Sequence, residues 1–233
     1  MAHYDIFRHH LLITAPAYGY ALWDPDPGNL YPAVEVGDVG YIREGRFHRL
    51  FNVLLPAKHP SHRKGVPEYH EQLNIEDHII HGTLSPHNFC STCVSLGPES
   101  DRQADGPKQV GEVSFLCRMN QGAVLCLPIK AKKEDTVAIK RFGKWMIKHI
   151  DTWFAWAQQL ELGVDRMEDI ILVTGTHRTR SCTNVAFPGG REDARVSFRA
   201  KVDHPDDTVT INWQFSHEHI RGAHLNPGPD GKV

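Results

Sequence analysis

DTVAIKRFGKWMIKHIDTWFAWAQQLELG, residues 135–163, is the stretch that settles the fold class. Within it Phe142, Trp145, Met146, Ile150, Trp153, Phe154, Ala157 and Leu160 recur at steps of three and four residues. That spacing makes one wide apolar helix face. Asp135 or Thr136 offers a capping oxygen at the start and Gly163 a stop at the end, so the spacing predicts a helix over 136–162. Aromatic side chains at this density need a broad partner, which makes it a helix laid across a sheet, with Trp145 and Trp153 in the core. A weaker helical pattern covers Glu68 to His81.

Elsewhere the pattern is strand-like. Val36 to Ile42 and Arg46 to Leu55 read as a hairpin around Glu44-Gly45, and Glu112 to Arg118 with Ala123 to Leu127 as another around Asn120-Gln-Gly122. Asp169 to Val173 is apolar and β-branched, the composition of a central strand. Arg195 to Val202 and Thr208 to Phe215 alternate with a period of two. Strand pairs with one dominant helix give an α+β fold, a mainly antiparallel sheet with the helix packed on it. The stretch 23–28 (WDPDPG) reads as a turn and 96–107 (LGPESDRQADGP) as a surface loop. Residues 1–224 form a single domain on this reading. The last nine residues, 225–233 (LNPGPDGKV), read as a flexible tail or linker, so that the chain is a piece of something longer.

Composition narrows the function classes. The chain has 233 residues, 40% of them hydrophobic and 23% charged, with a net charge of -2. Those proportions fit a folded domain, and the charge gives no field that would capture nucleic acid. No apolar run reaches the ~20 residues of a membrane span, and Met1 to His10 has no apolar core of a signal peptide. The five cysteines, Cys90, Cys93, Cys117, Cys126 and Cys182, fit a reducing, cytoplasmic setting.

Four groupings carry chemistry. His78-x-x-His81 followed by Cys90-x-x-Cys93 has zinc-ligand spacing, with the finger order reversed and eight residues between the pairs. They sit in or beside a histidine-rich stretch that also holds His59, His62, His70 and His87. Thr174-Gly-Thr-His-Arg-Thr-Arg-Ser181 crowds two guanidinium groups and four hydroxyls into a loop after a strand. Arg forks and hydroxyl donors suit phosphate or carboxylate, and Gly175 lets backbone amides come close to a ligand. Thr174, Gly175, Thr176, Arg178, Arg180 and Ser181 are therefore the candidate ligand contacts, and His177 the candidate proton carrier. Cys182, close in sequence to His177, is a candidate thiol nucleophile. Lys130, Lys132, Lys133, Lys140, Arg141, Lys144 and Lys148, set against Glu134 and Asp135, leave a basic stretch that suits an acidic lipid or partner, or simply water. His217 and His219 point to one side of a strand.

Three strings resemble a family of uncharacterised proteins of mushroom-forming fungi. They are Gly37-Asp-Val-Gly40 with Arg46-Phe-His-Arg-Leu-Phe51-Asn-Val-Leu54; Phe142-Gly-Lys-Trp-Met146 with His149-Ile-Asp-Thr-Trp153-Phe-Ala155; and Met167-Glu-Asp-Ile170-Ile-Leu-Val-Thr-Gly175 with Arg178-Thr-Arg-Ser181 and Asn184-Val-Ala-Phe187. The resemblance spans about residues 20–187. It implies an interaction or sensing role and brings no activity, and it has no motif for the region from His59 to Cys93.

These readings lead to a cytoplasmic α+β domain that binds an anionic small molecule or an acidic protein surface through 174–181. A small enzyme, a hydrolase or a biosynthetic cyclase or isomerase, is the alternative for the same segment, with His177 moving protons. A zinc-stabilised scaffold is the second alternative.

Overall fold

The computed structural model describes residues 1–24, 33–75, 78–91, 93–95, 110–117, 121–127, 129–203, 210–221, 223–227 and 231–232. For 93–95, 110–114, 117, 190–203, 210–221, 227 and 231–232 the description is of the backbone. The expected turns around 25–28 and 118–120 and the loop 96–107 lie outside the described residues.

The elements in chain order are α1 (His3–Thr14), β1 (Asp38–Arg43), β2 (Arg46–Asn52), β3 (Ile79–Leu84), β4 (His87–Ser91), β5 (Cys93–Ser95), β6 (Val110–Cys117), β7 (Gly122–Leu127), β8 (Ala131–Thr136), α2 (Ile139–Gln159), β9 (Ile171–Leu172), β10 (Gly175–Arg178), β11 (Thr183–Phe187), β12 (Gly189–Asp203), β13 (Thr210–Arg221), β14 (His224–Pro227) and β15 (Gly231–Lys232). The class is α+β, mostly antiparallel, with four sheets among the described residues and a parallel pairing where β15 joins β13. Among the described residues no helix is long and apolar enough to cross a membrane. The chain divides into two compact units. One comprises Met1–Pro25, Leu84–Ala131 and Thr179–Val233; the other comprises Asp26–Thr83 and Lys132–Arg178.

The second unit contains α2, a sheet in the order β2-β1-β9 and a sheet in the order β10-β8-β3. The hairpin β1–β2 forms at Glu44-Gly45, whose φ values of 51° and 78° are both left-handed. That is the tight-turn geometry that matches strand twist. A bulge between Val39 and Gly40 brings Gly40 against the His48 carbonyl and the Phe47 ring, where any Cβ would collide. The apolar face of α2 settles on this sheet: Phe142, Trp153 and Ala157 are buried with Val39, Phe51, Val53 and Ile170. Phe51 meets the rings of Trp153 and Trp156 edge-on, each at 5.6 Å. Burial of each such side chain contributes about 2–3 kcal/mol. Trp145 packs at the margin of this core and is only partly buried.

The helix is shorter than 136–162 because Asp135 and Thr136 are used in β8. Ala138 stands at the N-cap position without a side-chain bond of its own, and its N–H donates to Thr136 Oγ1 at 3.1 Å. At the far end Arg43 donates from Nη2 to the Leu162 and Gly163 carbonyls, at 2.6 and 2.8 Å. Gly163, at φ 66°, lies where a Cβ would strike that guanidinium. Asp169 to Val173, expected as a central strand, is reduced to β9 on a sheet edge. Among the described residues of 68–81 there is no α-helix. Leu73 and Ile75 alternate into the core as extended chain, and the Leu73 N–H donates to the Val53 carbonyl at 2.7 Å.

A buried polar knot underlies the hairpin. Asp38 is fully buried and lies 2.5 Å from Arg49 Nη2. It also accepts from the Glu35 N–H and from Asn52 Nδ2, both at 2.8 Å. Burial nevertheless pushes its carboxyl up to about 6, against the pull of Arg49. The Asn52 backbone N–H donates to His62 Nε2 at 3.2 Å. His62 Nδ1 is 3.3 Å from the Ala57 carbonyl and His70 Nε2 is 3.0 Å from the Leu55 carbonyl. Part of the histidine-rich stretch thus pins its own loop to the end of β2.

In the first unit α1 lies on the sheet β14-β11-β7-β4, burying Ile6, Phe7 and Leu11 with Trp23, Phe89, Ala123 and Ala186. The second sheet runs β15-β13-β12-β6-β5 and is dominated by the β12–β13 hairpin. β6 and β7 form where expected but not as a hairpin: β6 pairs with β12 and β5, and β7 with β11 and β4. Part of the segment read as a tail is paired. Leu225 sits opposite Val185 in β14, and Asn226 Nδ2 donates to the Trp23 carbonyl at 2.6 Å.

Candidate functional site

Alternation along β8 and β10 decides what 174–181 can do. Gly175–Arg178 is a strand and not a loop. Opposite one another stand Gly175 and Asp135, Thr176 and Glu134, His177 and Lys133, Arg178 and Lys132. Side chains of directly paired residues share a face. Thr176, Arg178, Lys132 and Glu134 therefore go to one side, and Gly175, His177, Lys133 and Asp135 to the other. The seven residues expected to converge do not converge.

The first face centres on Glu134. It is buried, and it accepts from Lys132 Nζ at 2.8 Å and from Arg178 Nη2 in a short ion pair. His81 Nδ1, from the neighbouring β3, is 3.5 Å away. The Lys132 hydrogen bond is the main reason the Glu134 carboxyl is held below its ordinary range, with the Arg178 charge adding to it against partial burial. Arg178, read as a candidate ligand contact, is thus a guanidinium fixed at one end. Its Nε has no hydrogen-bond partner, and neither has the buried Thr176 Oγ1. The Arg178 side chain is 32% exposed and that of Lys132 63%.

On the second face Lys133 Nζ lies 2.8 Å from the Asp135 carboxylate. Asp135 folds over Gly175, where a Cβ would collide with its oxygen. This close approach is the physical need for glycine at 175. His177 titrates below its ordinary value, chiefly because it is half-buried; Asp135 opposes that shift and Lys133 reinforces it.

The remaining expected residues go elsewhere. The Thr174 carbonyl accepts from the Thr136 N–H at 2.9 Å, continuing the strand pairing. Arg180 is exposed and forms no ion pair with a described residue. Ser181 belongs to the other unit and is buried at 1% exposure, its backbone closed in a turn by the Thr179 hydroxyl. Cys182 is buried too, and burial pushes its thiol up to about 12, which removes it as a thiolate nucleophile near neutrality. For zinc, His78 Nδ1 is buried without a partner and His81 faces Glu134. Cys90 is partly buried on β4, and the Cys93 side chain lies outside the described residues, as do those of His217 and His219. Among the described residues no group of three or more His, Cys, Asp or Glu side chains is arranged to hold a metal ion.

Glu134 and Lys132 are the residues that sequence reasoning missed as site members. Their signal was the alternating run Lys-Lys-Glu-Asp-Thr at 132–136, two cations followed by two acids in strand register with 175–178. No family model, curated protein or solved structure matches this chain.

Proposed function

We propose that the second unit is a binding module for an anionic small molecule or an acidic protein segment, which it receives along the β8–β10 strand pair. Lys132 and Arg178 are its cationic contacts. One observation carries the reading: Glu134 fixes Arg178 by a single nitrogen and leaves the side chains of Arg178 and Lys132 part-exposed on that face, at 32% and 63%. Three cations, Lys132, Lys133 and Arg178, stand on the strand pair against two carboxylates, Glu134 and Asp135. A preset guanidinium loses little freedom on meeting a phosphate or carboxylate.

The test is a thermal-shift and calorimetric titration of the whole chain with inorganic phosphate and with a polyglutamate peptide. The expected result is a rise in melting temperature with either probe. Arg178→Ala abolishes it while the unliganded melting temperature stays close to that of the parent protein, and Arg180→Ala reports whether the exposed neighbour contributes. Loss of fold in Arg178→Ala would make the Glu134 pair structural and end the proposal.

A second reading has its own observation. Asp135 and His177 share the opposite face, with Gly175 making room for the carboxylate. An acid beside an imidazole that is neutral near pH 7 is half of a proton-transfer apparatus. It would serve a hydrolase, or a cyclase or isomerase, acting on an anionic substrate. Turnover with a bell-shaped pH profile that His177→Gln abolishes favours this version over the binding module.

A further inference from the structure

We infer that the outward face of the first half of α2 is a docking surface for an anionic lipid bilayer. Phe142, Trp153 and Ala157 turn the helix's apolar side into the core. The opposite side then carries Lys140, Lys144 and Lys148 at four-residue steps, with Arg141 alongside. Lys140, Arg141 and Lys144 are exposed and have no acidic partner among the described residues, whereas Lys148 is held by Glu71 at 2.6 Å.

Two features separate this face from an ordinary solvated one. The first is where its charge sits. A helix N-terminus carries partial positive charge and is stabilised by acids, while cations belong at the C-terminal end. Here the order is inverted: the first turn contains no acid, the last turn no base, and Asp151 is the only acid on the helix. Such an arrangement costs stability and concentrates positive potential at one end of an otherwise slightly acidic chain. The second is the presence of large aliphatic side chains among the cations. Ile147 is 79% exposed, Val137 60% and Ile139 54%. Gly143, between Ile139 and Ile147 on the same stripe, has open space around it.

An acidic peptide would satisfy the cations and leave the isoleucines in water. An anionic leaflet satisfies both, because its phosphates meet the cations and its headgroup–acyl boundary accepts the aliphatic side chains. The bilayer is therefore the occupant this surface fits.

The experiment is co-sedimentation of the full chain with vesicles of phosphatidylcholine and phosphatidylserine in equal parts, with pure phosphatidylcholine vesicles as reference. Binding should require phosphatidylserine and weaken with added salt. The triple variant K140Q/R141Q/K144Q should partition about 100-fold less, at about fivefold for each cation near an anionic surface, while melting no lower than the parent. Ile147→Ser should lose roughly tenfold, the worth of one aliphatic side chain leaving water. Equal binding to both vesicle types, or undiminished binding by the triple variant, overturns the inference. So does undiminished binding by Ile147→Ser together with full competition by polyglutamate, which would make the face a protein-docking surface.

Discussion

Replacement of Asp38 by asparagine tests the polar knot beneath the β1–β2 hairpin. Asp38 is fully buried, and its main charged partner is Arg49, 2.5 Å away with a side chain only 10% exposed. Glu35, at 3.6 Å and half-exposed, is a weak substitute. Asparagine keeps the shape and one acceptor oxygen but leaves the guanidinium buried without its counter-charge, a change that costs about 3–5 kcal/mol when a buried pair is broken. The folded state, however, disfavours the Asp38 charge by a similar amount, since its carboxyl is raised, so the two effects largely cancel at pH 7.5 and the variant should differ from the parent there by only about 1 kcal/mol.

The pH dependence is the sharper signature. The Asp38 carboxyl titrates at about 6 in the folded chain against 3.8 when unperturbed. A raised carboxyl pKa means that the folded state holds the extra proton between those values, so Asp38 contributes stability at low pH that disappears as pH rises through 6. At 1.36 kcal/mol per pKa unit this amounts to about 3 kcal/mol. His62, His48 and His149 are all depressed, burial being the main cause. Their contribution runs the other way, present above about pH 6.5 and lost as pH falls. In the parent protein the two trends oppose each other. In Asp38→Asn only the histidine trend remains, so stability should fall more steeply between pH 7 and 5 than in the parent. Urea unfolding followed by tryptophan fluorescence measures both effects. A variant displaced from the parent by the same amount at every pH would refute the reasoning.

Gly40→Ala should lower stability by about 1–3 kcal/mol in the same assay, because its Cβ meets the His48 carbonyl backbone at the bulge and cannot be accommodated by side-chain motion alone. Trp153→Ala should cost about 3–5 kcal/mol by opening the α2 core, whereas Trp145→Ala, at the core's margin, should cost less than half of that. Iodoacetamide at pH 8 should leave the peptides carrying Cys126 and Cys182 unmodified in the native chain, since burial raises both thiols; mass-spectrometric labelling of Cys182 under those conditions would contradict its placement.

What could be read from the residues follows from the range of the forces involved. The centre of α2 was legible because packing on one face imposes a period that eight apolar residues repeat. Its start was not, since Asp135 and Thr136 have the chemistry of a cap and also of a strand, and only pairing with 174–175 decides between them. Glu44-Gly45 announced its hairpin locally. β6 and β7 could be found as strands but not assigned to separate sheets, because alternation reports burial and carries no information about which strand lies alongside. The site follows the same rule. Arg178 drew notice by its charge, while its counter-ion Glu134, 44 residues away in sequence, looked like part of a charge balance. Beside the zinc-spaced His78 and His81, the histidines between 59 and 70 stood out only as an excess. Their nitrogens instead complete backbone hydrogen bonds, which local sequence cannot express.

The interleaving of the two units bears on the order in which they can be made. Helix α1 leaves the ribosome well before Ala186, which belongs to its core cluster and is synthesised more than 170 residues later. The second unit waits for Arg178 in the same way, since β8 has no β10 until then. Neither unit is a contiguous stretch of chain, so a nascent polypeptide must hold exposed apolar segments until the later partner segments have been made. Slow refolding is the expected consequence, and no single cut in the chain would release either unit whole.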